Sequence, residues 1–425
     1  MATSSVGTPV GADDVEQARQ RLSAVLSPTP VQRLDRLGAR TGGPVWVKRE
    51  DLQPVRSYKV RGAYNLISRL EQSARDAGVV CASAGNHAQG LAYACGRLGV
   101  HGRVYVPRTT PRQKRDRIAV LGGDLVDIRV LGDTYDDAAA EALADASRTG
   151  ATLVPAFDHP LTVAGQGTAV AEAFEQLEAL GEALPDVVVI PVGGGGLLAG
   201  TAIWLAERHP EVRLVGVEPA GAACMAAALQ AGEPVTLPEV DAFVDGAAVR
   251  RAGDVTYPII RDAKVEVVAV AEGRVCAEML ELYQSDGIIA EPAGALAAAA
   301  LGDVVRPQPG AAVLVLLSGG NNDVSRYAEV VERALIHEGR KHYFLVDFPQ
   351  EPGALRRFLD GVLGEDDDIT LFEYVKRNNR ETGPALVGIE LGSPDDLPAL
   401  LARMQASPPN IEKIPAGSPL FRYLL

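Results

Sequence analysis

At 425 residues the chain is long enough for about two or three domains and a large apolar core. Its 41 basic and 55 acidic residues leave a net charge of -14, which argues against a nucleic-acid or membrane-surface partner, so an anionic ligand must be met by local donors. The four cysteines, Cys81, Cys95, Cys224 and Cys276, lie far apart in apolar contexts with no Cys-x-x-Cys pair, as expected of a protein in a reducing cytoplasm.

Residues 1–12 are small and polar without the basic-then-apolar order of a signal peptide, and are expected to form a disordered lead. No apolar stretch reaches the roughly 18 residues of a membrane span, since the longest, around 187–198, is interrupted by glycine and proline. Asp13 and Glu16 have capping-box spacing ahead of a helical pattern that runs to Leu26. Short β-branched runs at 79–81, 102–106, 187–190, 214–217 and 313–317 then alternate with alanine-rich helical stretches. That alternation predicts an α/β class with parallel sheets covered on both faces, and ligands bound beyond the carboxyl ends of the strands. The polar break Glu338-Gly339-Arg340-Lys341 sets a boundary near residue 340, separating a domain of 13–337 from one of 341–425. Beyond it the pattern reads as a strand at 342–348, a helix at 353–363, and strands at 369–376 and 385–391 around the turn 378–383. A helix at 395–405 and a last short strand at 421–425 complete the series. The order βαββαβ is that of an α+β ferredoxin-like unit. Lacking any lysine, histidine or glycine constellation, this unit is expected to bind rather than catalyse.

Chemistry concentrates in four segments. Lys59 sits in Ser57-Tyr58-Lys59-Val60-Arg61-Gly62-Ala63, among small and aromatic residues, and lysine is the common side chain whose amine condenses with an aldehyde cofactor. Ser83-Ala84-Gly85-Asn86-His87, Gly193-Gly194-Gly195-Gly196-Leu197 and Ser318-Gly319-Gly320-Asn321 each follow an apolar run of strand length. Four successive glycines let backbone N–H groups converge on a phosphate at the start of the next helix. Together the segments read as a site for pyridoxal 5'-phosphate. Alternatives stand beside this reading: Lys59 as a solvated helix-face lysine, Asn86 as a helix cap, and the glycine-rich segments as plain strand-to-helix turns. Gly194-x-Gly196-x-x-Ala199 with Glu218 ending a strand also matches a dinucleotide fingerprint, without a catalytic set for hydride transfer. Glu291, in Glu291-Pro292-Ala293-Gly294-Ala295, either lines the site or caps the following helix. His87 reads as a packed neighbour, and the histidines show no metal-binding spacing.

These motifs, in this order, resemble threonine dehydratase (threonine ammonia-lyase), a two-lobed, fold-type II pyridoxal-phosphate enzyme with a tryptophan synthase beta-like catalytic half. The segment from Phe344 through Phe348, Pro349, Pro352, Gly353 and Leu355, with Phe372-Glu373-Tyr374, is similar to the ACT-like regulatory domain of the biosynthetic enzyme. The resemblance implies Lys59 as the Schiff-base lysine and Asn86 on the ring oxygen, with Gly193, Gly194, Gly195, Gly196 and Leu197 on the phosphate and Ser318 at the ring nitrogen. Ser83, Ala84, Gly85, Asn86 and His87 would receive the substrate carboxylate. A neutral Ser318 leaves the ring nitrogen largely unprotonated, a weaker electron sink that suits elimination over transamination. The implied reaction is deamination of L-threonine to 2-oxobutanoate and ammonia, the first step of isoleucine biosynthesis. The regulatory unit would sense L-isoleucine near Phe348, Pro352 and Gly353, in a homo-oligomer, tetramer or dimer. The chain has room for one ACT-like unit where longer members carry two. A catabolic serine/threonine deaminase shares the catalytic half, and a noncatalytic amino-acid sensor is a further alternative that an intact Lys59 argues against.

Overall fold

The computed structural model describes residues 10–374, 380–407, 410–415 and 418–424. They fall into two compact units: the chain up to residue 322 apart from 273–280, and 273–280 with the chain from 323 onward. The second unit therefore takes in the helix Tyr327–His337, ahead of the boundary expected near 340. Among the described residues no helix is long and apolar enough to cross a membrane.

The strands of the first unit are β1 Val31–Arg33, β2 Val45–Arg49, β3 Val79–Ala82, β4 Gly102–Val106, β5 Val126–Val130, β6 Thr152–Leu153, β7 Val187–Pro191, β8 Arg213–Pro219, β9 Glu266–Val270 and β10 Val313–Leu317. They form a six-stranded sheet, β1-β2-β10-β7-β8-β9, and a four-stranded one, β5-β4-β3-β6. Every pairing is parallel except β1 with β2. β10 lies between β2 and β7 with all five residues buried, which is why its sequence is an unbroken apolar run.

Because β2, β10 and β7 are parallel neighbours, their carboxyl ends share one edge of the sheet. The segments that leave this edge lead to Lys59, Ser318 and Gly193. Main-chain hydrogen bonds knit two of them together: Tyr58 N–H donates to Ser318 O at 3.1 Å and Gly320 N–H to Arg56 O at 2.9 Å.

The first helix is Ala12–Ser23, so it begins inside the expected lead and stops short of Leu26. The earlier start places Asp14 at the capping position, where it accepts from Gly11 N–H at 2.9 Å. Glu16, expected to cap, instead accepts from Trp204 Nε1 at 2.7 Å. Residues 1–9 of the lead lie outside the described residues.

The second unit holds β11 Lys341–Pro349, β12 Asp368–Tyr374, β13 Thr382–Glu390 and β14 Asn410–Lys413 in the order β12-β13-β11-β14, all antiparallel. The helices Ala354–Val362 and Leu397–Ala406 pack with Phe344, Val346, Phe348, Val387 and Ile389 into one core. The βαββαβ order is as read, but the last strand is Asn410–Lys413, while 419–423 form a 3-10 turn. The polar sequence Asn410-Ile411-Glu412-Lys413 gives no strand signal, because an edge strand exposed along most of its length needs no apolar run. Part of the expected turn, Asn378 and Asn379, and the end of the expected strand at 375–376 lie outside the described residues.

Candidate active site

A narrow cleft in the first unit is lined by Tyr58, Lys59, Phe157, Gly193, Gly194, Gly195, Gly196, Leu197 and Gly246. The glycines follow β7 and lead into the helix Gly196–Arg208. Their carbonyls are engaged on the far side: Gly194 O accepts from Thr256 Oγ1 at 2.6 Å, and Gly195 O from Ala199 N–H at 2.8 Å. Among the described residues the N–H groups of Gly193, Gly194 and Gly195 find no acceptor. Three unsatisfied donors beside the positive end of a helix form a nest for an anion. Side chains could not be accommodated here. A Cβ at Gly194 would run into the Phe157 ring, one at Gly196 would stand 2.9 Å from Phe157 Cβ, and Gly195 has φ +92°. These residues therefore fit a phosphate, and a bulkier loop would close the space.

Lys59 is the first residue of the helix Lys59–Ser68 and is half-buried, its Nζ 5.5 Å from the centre of the Tyr58 ring. It shares the cleft with the glycines, at a distance from the buried ion network that fixes its helix. There Arg61 Nε and Nη2 each meet Glu50 at 2.8 Å. Ser318 is buried one residue beyond β10; its Oγ donates to Ala293 O at 3.1 Å, and its carbonyl holds Tyr58. A hydroxyl can rotate, so Oγ is able to serve as donor or acceptor toward a ring nitrogen.

The segment after β3 carries Ser83, Ala84, Gly85, Asn86 and His87 into the helix Asn86–Leu98, whose first-turn N–H groups have no intrahelical acceptor. Ser83 Oγ accepts from Gly85 N–H at 3.2 Å. Asn86 is held on both sides of its amide: Nδ2 donates to Glu291 Oε1 at 2.5 Å, and Oδ1 accepts from Asn321 Nδ2 at 2.7 Å. Three sequence-remote motifs thus meet in one hydrogen-bond chain. Glu291 is fully enclosed; burial first, and then the charge of Asp245, push its carboxyl up to about 7 against the opposing pull of Asn86, Lys114 and Lys59. It stands at the N-terminus of the helix Pro292–Ala299 but its side chain makes no capping hydrogen bond there; the carboxyl is turned to Asn86 instead. His87 is buried with Nε2 at 2.7 Å from Val154 O, and burial lowers it to about 4, which keeps it neutral and packed.

The dinucleotide reading fails on Glu218. Its carboxylate accepts from Met225 N–H at 2.7 Å and Ala226 N–H at 2.8 Å, capping the helix Cys224–Ala231, and is fully buried. No ribose can reach it. Phe157, Gly246 and Asp245 were not singled out in the sequence, where they stand in loops without a recognisable spacing.

In the second unit Phe348 is 2 % exposed, ringed edge-on by Phe358, Phe372 and Tyr374. Pro352 and Gly353 are exposed at the turn before the helix Ala354–Val362, where Gly353 has φ +83°.

Residues 22–319 match the family described as pyridoxal-phosphate dependent enzyme, and residues 332–424 match the C-terminal regulatory domain of threonine dehydratase. The chain is 63% identical to the biosynthetic L-threonine dehydratase IlvA of Mycobacterium tuberculosis over 97% of its own length and 95% of the relative's. It is 55% identical to the enzyme of that name from Corynebacterium glutamicum, over 98% of this chain and 95% of the other. Among solved structures, threonine deaminase isoform 2 of Solanum lycopersicum superposes with a TM-score of 0.69 at 36% identity, covering 77% of this chain and 96% of that one. The fold is that of a pyridoxal-phosphate-dependent lyase of fold type II. Within that class the chain belongs to the biosynthetic threonine dehydratase family.

Proposed function

We propose that the chain deaminates L-threonine to 2-oxobutanoate and ammonia, the committed entry to isoleucine synthesis, and that the C-terminal unit responds to L-isoleucine. The observation that carries the catalytic reading is the single cleft in which Lys59 faces a nest of unsatisfied glycine N–H groups. Gly193, Gly194, Gly195, Gly196 and Leu197 would hold the cofactor phosphate, Lys59 its aldehyde carbon, Ser318 its ring nitrogen and Asn86 its phenolic oxygen. Pyridoxal phosphate, when bound, supplies the electron sink that acidifies the substrate Cα–H.

The chain's own residues do the rest. The positive end of the helix Asn86–Leu98, with Ser83 Oγ and the N–H groups of Ala84, Gly85, Asn86 and His87, receives the substrate carboxylate. Glu291 and Asn321 fix the Asn86 amide in one orientation. The Lys59 amine, held at the cleft, takes the Cα proton as general base, a role whose efficiency rests on position. The β-hydroxyl departs as water, and the released enamine hydrolyses to the keto acid. Ser318 brings no charge to the ring nitrogen, which favours elimination.

The regulatory patch lies at the turn 349–353. Because Phe348 is in the core, contact with an effector falls to Pro352, Gly353 and their neighbours, and Phe348 acts by shaping the turn. We assign 13–337 to catalysis and 341–425 to regulation. Four buried free thiols fit a reducing cytoplasm; the expected homo-oligomer, tetramer or dimer, is checked by light scattering. The decisive experiment supplies purified protein with threonine or serine, with and without isoleucine, and quantifies 2-oxobutanoate and pyruvate. Threonine is the better substrate, and isoleucine weakens its use by roughly 5- to 150-fold. No keto acid from either would overturn the enzyme reading; serine preference without an isoleucine response would favour the catabolic one.

A further inference from the structure

Two glycines interrupt the helix Asn86–Leu98, Gly90 and Gly96. Glycine is a poor residue for a helix interior, and Gly90 is buried, where a methyl group would add apolar packing, so its place there calls for a physical reason. The reason is the backbone beside it. A Cβ on Gly90 would stand 3.1 Å from Lys59 C, Lys59 O and Val60 N, closer than the roughly 3.5–4.0 Å at which carbon atoms pack best. The missing side chain lets this helix rest directly on the peptide unit that follows Lys59. Gly90 is four residues beyond Asn86, which places the two on one face of the helix, about 6 Å apart along its axis. A single backbone contact thus ties the turn that carries Lys59 to the turn that carries Asn86.

The Lys59 side of this contact is the firmer of the two. Gly62 N–H donates to Gln166 Oε1 at 3.2 Å, and a Cβ on Gly165 would lie 2.7 Å from Arg61 O, so the helix Pro160–Leu180 packs on the same turn through a glycine of its own. Arg61 Nε and Nη2 add their bonds to the buried Glu50. The Asn86 end is held by side-chain amides and one carboxyl, those of Asn321 and Glu291. Bulk added at Gly90 therefore moves the first turn of the helix Asn86–Leu98, with the segment Ser83 to His87, away from Lys59.

We propose that Gly90 is a positioning residue: having no side chain, it sets the separation between the Lys59 amine and the donors at the start of the helix Asn86–Leu98. A substrate has to meet both at once, its carboxylate on those donors and its Cα–H at the amine, so a displacement of a few tenths of an ångström is felt in binding and in turnover. The parts given to Lys59 and Asn86 rest on the function proposed above; the packing of Gly90 does not.

The test compares Gly90→Ala with Gly96→Ala in the holoenzyme. The control lies in the same helix and is almost as tight, its Cβ 3.2 Å from Leu121 O, but it touches neither Lys59 nor Asn86. Both changes bring the same gain in helix preference, so what differs between them is the neighbour each one meets. Three readouts are taken: urea unfolding, the site of pyridoxyl attachment after borohydride reduction, and titration with glycine followed by the cofactor's absorption. Glycine has the amine and carboxylate of a substrate and no β-hydroxyl to lose. Gly90→Ala folds and keeps the cofactor on Lys59, yet weakens glycine binding about tenfold and lowers kcat/KM for threonine by a similar factor, in keeping with a loss of about 100-fold for a misplacement of about 1 Å. Gly96→Ala leaves both unchanged. The proposal is overturned if the two variants lose binding and turnover equally, if Gly90→Ala loses neither, or if it fails to fold or drops the cofactor where Gly96→Ala does not, since Gly90 would then serve packing alone. Absence of keto acid from the unmodified protein would count against the catalytic reading, while the glycine titration still decides the role of Gly90.

Discussion

Glu50 and Glu291 are both buried in the first unit, and their carboxyl groups are driven in opposite directions. Burial alone would raise Glu50, but Arg61 grips its two oxygens and Lys48 and Thr29 add to the pull, holding it well below the usual carboxylate range. Among the described residues Glu291 meets no guanidinium. Burial and the charge of Asp245 carry it up to about 7, and the donor that holds it is the neutral amide of Asn86. The difference separates two uses of one residue type. A matched buried ion pair anchors the helix that begins at Lys59, whereas an unmatched carboxyl at the junction of three motifs is able to change protonation near neutral pH.

The largest effect is expected from breaking the matched pair. Arg61→Met strands Glu50 and leaves Glu172 with Lys48 as its cation, and should cost about 3–5 kcal/mol in urea unfolding at unchanged m. A loss below about 1 kcal/mol would show that the network does not anchor the Lys59 helix.

Glu291→Gln tests the other side through pH. Folding raises the Glu291 midpoint from 4.5 to about 7, so the folded state holds the proton more tightly than the unfolded one. Its contribution to stability is full below about 4.5 and is lost as pH rises through about 7. Glutamine does not titrate, so the variant should gain on the parent by up to about 3 kcal/mol across that window. Glu50 has the opposite sign, losing its contribution as pH falls through its lowered midpoint. Parallel stability curves for the variant and the parent from pH 4.5 to 7 would refute the assignment of Glu291.

A smaller change sharpens the comparison. Asp245→Asn removes the charge that acts after burial on Glu291, so the same pH window should move toward acid, while the partly exposed Lys114 pair costs at most about 1 kcal/mol. A window that stays in place would mean that burial alone sets it.

The sequence made the scaffold of the site readable where chemistry and periodicity coincide. β7 and β10 are unbroken apolar runs because they are interior strands of a parallel sheet, and the glycines and Ser318 stand just beyond them. β2 was not read as a strand, since Lys48 sits in it; that lysine is wholly buried only because Glu172, Gln176 and Thr29 surround it from elsewhere. Glu291 was ambiguous for the same reason. Its partner Asn86 lies 205 residues away, and no local pattern encodes such a meeting. Phe157, which seals the glycine nest, and Asp245 are loop residues whose roles arise from tertiary placement alone. The final strand of the second unit escaped because an exposed edge leaves no apolar signature.

The central claim is that Lys59 is the lysine that carries the cofactor beside the glycine nest. Borohydride reduction of the holoenzyme followed by peptide mass mapping tests it directly. The account predicts the pyridoxyl mass on the peptide containing Lys59 and its disappearance, with turnover, in Lys59→Ala. A pyridoxyl group on any other lysine, or near-normal threonine deamination by that variant, would contradict it.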